Sequence, residues 1–250
     1  MSALVSIILP TYNSESFLME CLKSIQGQSF CDYEIINIDA SSSDGTMEIL
    51  KTFPGIRIIK QNGVGLASAW NQGILASNSK YISFLDSDDW WNPNCLQLHV
   101  DSLTNMPGLR YSIGKVNFFS DNPQQFTYGF KSSLLSNSHQ ALMPGCFMGE
   151  RTLFNDLGFF DESLKVASDI QWFHDLKVSN IPHVKVEENL LNKRIHGNNL
   201  SYTTSKTNTY NDELLQVIHR RLRNLKSNDY RKYFGKQAVA YQHHKQRPYP

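Results

Sequence analysis

Four short apolar runs, at 5–9, 33–38, 56–59 and 81–85, punctuate the first ninety residues, and a segment with helical spacing lies between each and the next. Runs of this length rich in Ile, Leu, Val and Phe read as buried strands. After the first run, Phe17, Leu18, Cys21, Leu22 and Ile25 share one helical face, with Ser14 or Ser16 placed to cap it and Gly27 to stop it. The segment 47–52 suits a short helix. Leu66, Ala69, Trp70, Ile74 and Leu75 mark a third helix, opened by the turn Asn62-Gly63-Val64-Gly65. A β-α-β-α-β-α-β alternation dictates an α/β fold with a mostly parallel, Rossmann-like sheet flanked by helices.

Past Pro93 the rhythm loosens. Helical patterns are expected at 96–103, 150–157 and 169–178, strands at 111–119 and 184–191, and 120–140 is irregular and polar. The 250 residues suffice for one large domain with a small appendage. The expected division is a single domain at 1–210, made of halves at 1–95 and 96–210, then a basic helical extension at 211–250. No run of 18 apolar residues exists to span a bilayer, and the N-terminus lacks a signal peptide's pattern. A cytoplasmic chain is therefore expected. Cys21, Cys31, Cys95 and Cys146 form no CxxC pair and read as reduced thiols.

The chemistry concentrates where the fourth run ends. Phe84-Leu85-Asp86-Ser87-Asp88-Asp89-Trp90-Trp91 places three carboxylates in four residues directly after a strand. In open α/β sheets ligands bind at the carboxyl ends of strands, and adjacent carboxylates repel unless a cation sits among them. Mg²⁺ and Mn²⁺ favour carboxylate and phosphate oxygens. Asp86 and Asp88 are the residues expected to hold such an ion with a phosphorylated ligand, and Asp89 is expected to cap the next segment of the chain. Thr11, Asp39 and Asp86 all end strands, as they must if one crevice gathers them.

The segments V-S-I-I-L-P-T-Y-N at 5–13, I-D-A-S-S-S-D-G-T at 38–46 and F-L-D-S-D-D-W at 84–90 come in order. G-C-F-M-G-E-R-T-L-F-N-D-L-G-F-F-D-E-S comes next at 145–163, then A-S-D-I-Q-W at 167–172 and R-I-H-G-N-N-L-S at 194–201. Together they resemble a family 2 glycosyltransferase of the GT-A fold over residues 3–202, which would make 1–95 the nucleotide-sugar-binding half and 96–210 the acceptor-side, catalytic half. The resemblance implies an inverting, metal-dependent transfer of a sugar from a nucleotide-diphosphate sugar, with a UDP-sugar as the expected donor, to an acceptor hydroxyl in surface polysaccharide or glycolipid synthesis. It places Pro10, Thr11 and Tyr12 along the base and ribose, Tyr12 as a stacking face, and Asp39 near the base. Ala40 stands where many relatives have a second Asp, which leaves the base open. Asp86 would meet the ribose or a metal-bound water, and Asp88 the metal. Asp169 resembles the catalytic base, although Ser168 or Asp169 could instead cap a helix. His196 would ligate the metal or hydrogen-bond phosphate, and Arg194 is a weaker candidate for the diphosphate. The cofactor expected is Mn²⁺ or Mg²⁺, and the acceptor a carbohydrate or a lipid-linked group.

From His219 onward nine Lys or Arg face one acid, leaving 15 basic and 22 acidic residues before it under a net charge of +1. An amphipathic basic helix at 212–226 is expected to meet the inner face of a membrane or to form a homodimer. Nucleic acid is not an expected partner. Two other readings stand beside the transferase. A nucleotidyltransferase should carry a Gly-rich, basic phosphate loop after its first strand, where this chain has P-T-Y-N-S-E. A non-catalytic nucleotide-sugar-binding module would not need Asp86, Asp88 and Asp169 together.

Overall fold

Side chains along strand β1 (Val5–Thr11) alternate between two cores, as a doubly covered strand requires. Val5, Ile7 and Leu9 meet Leu18, Leu22 and Ile25 of α1 (Glu15–Gln26). Ile8 points the other way, onto Ala67, Trp70 and Ile74 of α3 (Leu66–Ala76). The computed structural model describes residues 2–121, 132–135, 137–200 and 209–224. The remaining parallel strands are β2 (Tyr33–Asp39), β3 (Ile56–Lys60) and β4 (Tyr81–Phe84), with the short α2 (Thr46–Lys51) between β2 and β3.

The second half extends the same sheet, to nine strands among the described residues. The elements are β5 (Trp90–Trp91), α4 (Cys95–Thr104), β6 (Tyr111–Phe119), β7 (His139–Gln140), β8 (Phe147–Glu150), α5 (Leu153–Leu157), α6 (Ser168–Val178), β9 (His183–Arg194) and α7 (Thr209–Asn224). The strand order is β3-β2-β1-β4-β8-β6-β9-β5, with β7 beside β6. Strand β8 runs antiparallel to both β4 and β6. Helices α1 and α4 cover one face with the core of Val5, Trp91 and Leu190; α3, α5 and α6 cover the other around Phe84, Phe147 and Trp172. No described helix is long and apolar enough to cross a membrane.

Several local expectations change. Glu150 ends a strand, and the helix there is only Leu153–Leu157, because the segment before it completes the sheet between β4 and β6. Ser14 occupies the cap position of α1 without a side-chain cap bond; its Oγ lies 2.7 Å from Ser87 Oγ instead. The last strand runs past Leu191 to Arg194, so Lys193 and Arg194 lie on β9, not in a loop. Helix α7 begins at Thr209 and is described to Asn224; Lys226 and the basic tail lie outside the described residues, as does most of the irregular stretch after Ser120.

Gly73 shows how closely α3 approaches β1. A Cβ there would lie 2.4 Å from Ile8 Cγ2. Alanine normally strengthens a helix by about 1 kcal/mol over glycine, but here overpacking costs about 1–3 kcal/mol. Gly73→Ala is therefore expected to lower the urea midpoint, and a raised midpoint would show that the layer has slack.

Candidate active site

The carboxyl ends of β1 and β2 form the first part of the site. Their register pairs Thr11 with Asp39. Thr11 Oγ1 donates to Asp39 Oδ1 at 2.9 Å, while Ser42 donates through its N–H to Oδ2 at 2.9 Å and through Oγ to Oδ1 at 2.6 Å. Both oxygens are thus held on a fixed bearing. Pro10 and Thr11 are buried, whereas the Tyr12 ring just beyond them is 66% exposed. The contact between Ser14 and Ser87 joins this loop to the acidic one.

The acidic loop comes directly after β4. Ligand oxygens of Asp86, Asp88 and Asp89 all lie within 4.8 Å of one another. The cation among them belongs to the protein: Lys193 Nζ lies 2.8 Å from Asp89 Oδ2 and 3.2 Å from Asp86 Oδ2. Pairing of β5 with β9, Trp90 against Asn192 and Trp91 against Leu191, carries Lys193 there. Asp89 caps no helix. It is buried and also accepts the Arg194 N–H at 2.9 Å, which pins β9 to the loop. Asp88 Oδ2 accepts from Asn199 Nδ2 and lies against His196 Nε2, each at 3.0 Å. His196 itself packs on Phe17 with ring centroids 4.8 Å apart.

Arg194, expected as a diphosphate contact, is committed elsewhere. Its guanidinium bonds Glu20, Asp121 and the Asp88 carbonyl, and lies over Phe17 and Phe119 at 4.7 Å from each ring centroid. Only 5% of the residue is exposed. Trp91 and Trp172 are likewise core, while Trp90 packs on Phe119.

Burial and charge set the protonation of the cluster. Burial would lower the Lys193 ammonium, but Asp89, Asp86 and Asp88 outweigh it and hold the group well above the ordinary lysine range. Burial raises the Asp86 carboxyl against the pull of Lys193 and pushes Asp89 up to about 7. Asp88 goes the other way: burial opposes its charge, but the His196 hydrogen bond and Lys193 bring it below the usual carboxylate value.

Asp169 sits in the first turn of α6, which Ala167 precedes as the capping position with no side-chain cap bond. The capping role available to Ser168 or Asp169 is thus not used. Burial pushes the Asp169 carboxyl up to about 6; the Ile170 N–H offsets this in part, and the charge of Asp86 adds to it. Asp169 therefore shares a field with the acidic loop, eighty residues away in sequence. A carboxyl raised to about 6 is still ionised at neutral pH and can accept a proton there.

The donor set fits a hard divalent cation. Asp86 and Asp88 could supply oxygen ligands, while both Asp89 oxygens are taken by Lys193 and the Arg194 N–H. Asp86 Oδ1 is buried with no hydrogen-bond partner among the described residues, an acceptor that a positive ligand would satisfy.

A Rossmann-like sheet with acids gathered at its strand ends has the architecture of a GT-A fold. The comparisons name the family. The family model "Glycosyl transferase family 2" matches residues 6–161, and the chain belongs to that family. An uncharacterised glycosyltransferase of Rickettsia prowazekii is 32% identical over 211 residues, 78% of this chain and 65% of its own length. Chondroitin synthase of Escherichia coli is 27% identical over 79% of this chain and 30% of its own. The minor teichoic acid biosynthesis protein GgaA of Bacillus subtilis is 30% identical over 68% and 42%. The chain thus spans 65% or less of the length of these relatives. Among solved structures, S. aureus TarS in complex with UDP-GlcNAc superposes with a TM-score of 0.62 at 21% identity, covering 77% of this chain and 58% of that one. The mannosyltransferase PcManGT of Pyrobaculum calidifontis, with GDP-Man and Mn²⁺, gives 0.61 at 17% identity, covering 90% and 66%. These two establish the fold. The family assignment removes the nucleotidyltransferase alternative.

Lys193 is the residue sequence reading missed. It stands in a stretch marked as unusually polar, but its partners are more than a hundred residues away, and only pairing of β5 with β9 reveals them.

Proposed function

We propose that the chain transfers a sugar from a nucleoside-diphosphate sugar to an acceptor hydroxyl with inversion, in the assembly of a polysaccharide or teichoic-acid-like polymer. The observation that carries this reading is the clustering of Asp86 and Asp88 directly after β4, within electrostatic reach of the raised carboxyl of Asp169. The exposed Tyr12 ring offers the base a stacking face, and Asp39 is held in place by hydrogen bonds from Thr11 and Ser42. Pro10 and Thr11, buried at the end of β1, would line the same part of the pocket. Asp86 and Asp88 would hold a divalent ion, Mn²⁺ or Mg²⁺, with His196 at its edge fixing the Asp88 carboxylate. When bound, such an ion neutralises charge on the departing diphosphate.

Asp169 takes the proton of the acceptor hydroxyl as that oxygen bonds to the anomeric carbon. The bond from that carbon to the diphosphate breaks on the opposite face, and its electron pair leaves with the diphosphate. One displacement with one base inverts the anomeric centre. The relatives named for chondroitin and teichoic acid synthesis support a polymer as the acceptor, and neighbours with UDP, UDP-GlcNAc and GDP-Man support a nucleotide-sugar donor.

The test is a panel of UDP- and GDP-sugars with the full chain, scored by donor hydrolysis and thermal shift with Mn²⁺ and with chelator. At least one donor is expected to stabilise the protein only with metal. Absence of metal-dependent binding across the panel would falsify the assignment.

A further inference from the structure

The backbone immediately before α6 turns three consecutive N–H groups towards a single side chain. Lys165 N–H donates to Glu213 Oε1 at 2.8 Å, Val166 N–H to Oε2 at 2.8 Å and Ala167 N–H to Oε2 at 3.2 Å. Successive N–H groups of this kind form an anion-binding concavity, and its occupant here is a carboxylate carried by α7. Glu213 is 7% exposed, so the contact is sheltered from water. One turn further along α7, Val217 packs with Leu164 and Ala167 in a small separate core. Residues at i and i+4 share a helix face, so α7 grips the 164–167 segment with a polar and an apolar contact side by side. The other end of this connection is held by α3, where Asn71 bonds both the N–H and the carbonyl of Phe160 and also Glu162.

We propose that Glu213 is a positioning residue for Asp169: by fixing the three amides ahead of α6 it sets where the Asp169 carboxylate stands relative to the acidic loop. This rests on the reading of Asp169 as the base. The last amide held by Glu213 is two residues before Asp169, and Asp169 lies in the first turn, where its place depends directly on how the chain enters the helix. The family model ends at residue 161, so the grip comes from a segment beyond the matched one. A displacement of about 1 Å in a catalytic group can lower a rate by about 10²-fold.

The experiment compares Glu213→Ala, Glu213→Gln, Val217→Ala and Asp169→Asn in the full chain. It uses the donor selected by the panel for kcat and KM, and UDP or GDP with Mn²⁺ for nucleotide affinity. Amide hydrogen exchange over residues 164–170 reports the loop directly. Glu213→Ala is expected to speed exchange there and to lower kcat by about 10²-fold, with nucleotide affinity within twofold of the parent. Glu213→Gln, which keeps one acceptor oxygen, should fall between, and Val217→Ala should move both readouts the same way but less. Faster exchange with kcat unchanged overturns the proposal, as does equal loss of kcat and nucleotide affinity, which marks general damage. If Glu213→Ala does not fold, the Gln and Val217 variants decide by the same criteria. Full activity in Asp169→Asn sinks the base reading itself; an inactive Asp169→Asn beside a fully active Glu213→Ala sinks only the role of Glu213.

Discussion

Asp169→Asn is expected to lower kcat by about 10²–10⁴-fold, the range for losing a positioned general base, while nucleotide affinity stays within a few-fold. The amide keeps the shape of the carboxylate and the first turn of α6, but cannot take a proton. Two pH signatures separate this from simple damage. In the parent, kcat/KM should fall as pH drops through about 6, because burial raises the Asp169 carboxyl to that value and only the ionised form acts as base. Stability should move the opposite way. A carboxyl raised from its ordinary value to about 6 binds its proton more tightly in the fold than in the unfolded chain. Its contribution is therefore fully present below the ordinary carboxylate value and is lost as pH rises through about 6. Ionised Asp169 then costs the fold on the order of 3 kcal/mol at neutral pH. Asp169→Asn should consequently melt higher than the parent at pH 8 and equally at pH 4. Thermal melts at the two pH values check this; a lower melting temperature at pH 8 would show Asp169 to be a structural group.

Lys193→Met is expected to be the most destabilising change at the site. The methionine keeps much of the volume but leaves Asp86 and Asp89 without the ammonium that lies 3.2 and 2.8 Å from them. Removing one partner of a buried charge cluster costs about 3–5 kcal/mol, or roughly 6–20 °C in Tm for a domain of this size. Burial already raises both carboxyls, and without Lys193 they rise further. The loss should therefore be largest near pH 8 and shrink towards pH 5, as the acids take up protons. Added Mn²⁺ should restore more Tm to the variant than it adds to the parent, because a bound cation replaces the missing charge. Differential scanning fluorimetry in chelator and in MnCl₂ reads all three effects. A variant within about 2 °C of the parent in chelator at pH 8 would remove Lys193 from the electrostatic account.

These expectations draw unequally on sequence and structure. The parallel half was legible because its information is local: β1 to β4 are short apolar runs separated by helical spacing, and each ends in a loop of recognisable type. Asp86, Asp88, Asp39 and Thr11 emerge from that pattern, since strand ends in such a sheet converge on one crevice, whereas Tyr12 entered only through the family resemblance. Asp169 needed the motif around it, because an acid in a helix's first turn has an ordinary capping alternative. Strand β8 was missed for the opposite reason. Four residues in an antiparallel slot between β4 and β6 carry no periodicity long enough to read.

The sequence by itself determined the order of strands and helices from β1 to β4 and the chemical type of the residues at their ends. Tertiary structure alone decided which charges meet. Lys193 joins Asp86 and Asp89, Arg194 is withdrawn into a clamp of Glu20 and Asp121, and Glu213 crosses from α7 to the amides before Asp169. The physical reason is the range of the interactions. Hydrophobic periodicity acts over a few neighbouring residues and leaves a trace in any short window. A buried charge takes whichever partner the fold delivers, and no spacing along the chain records it.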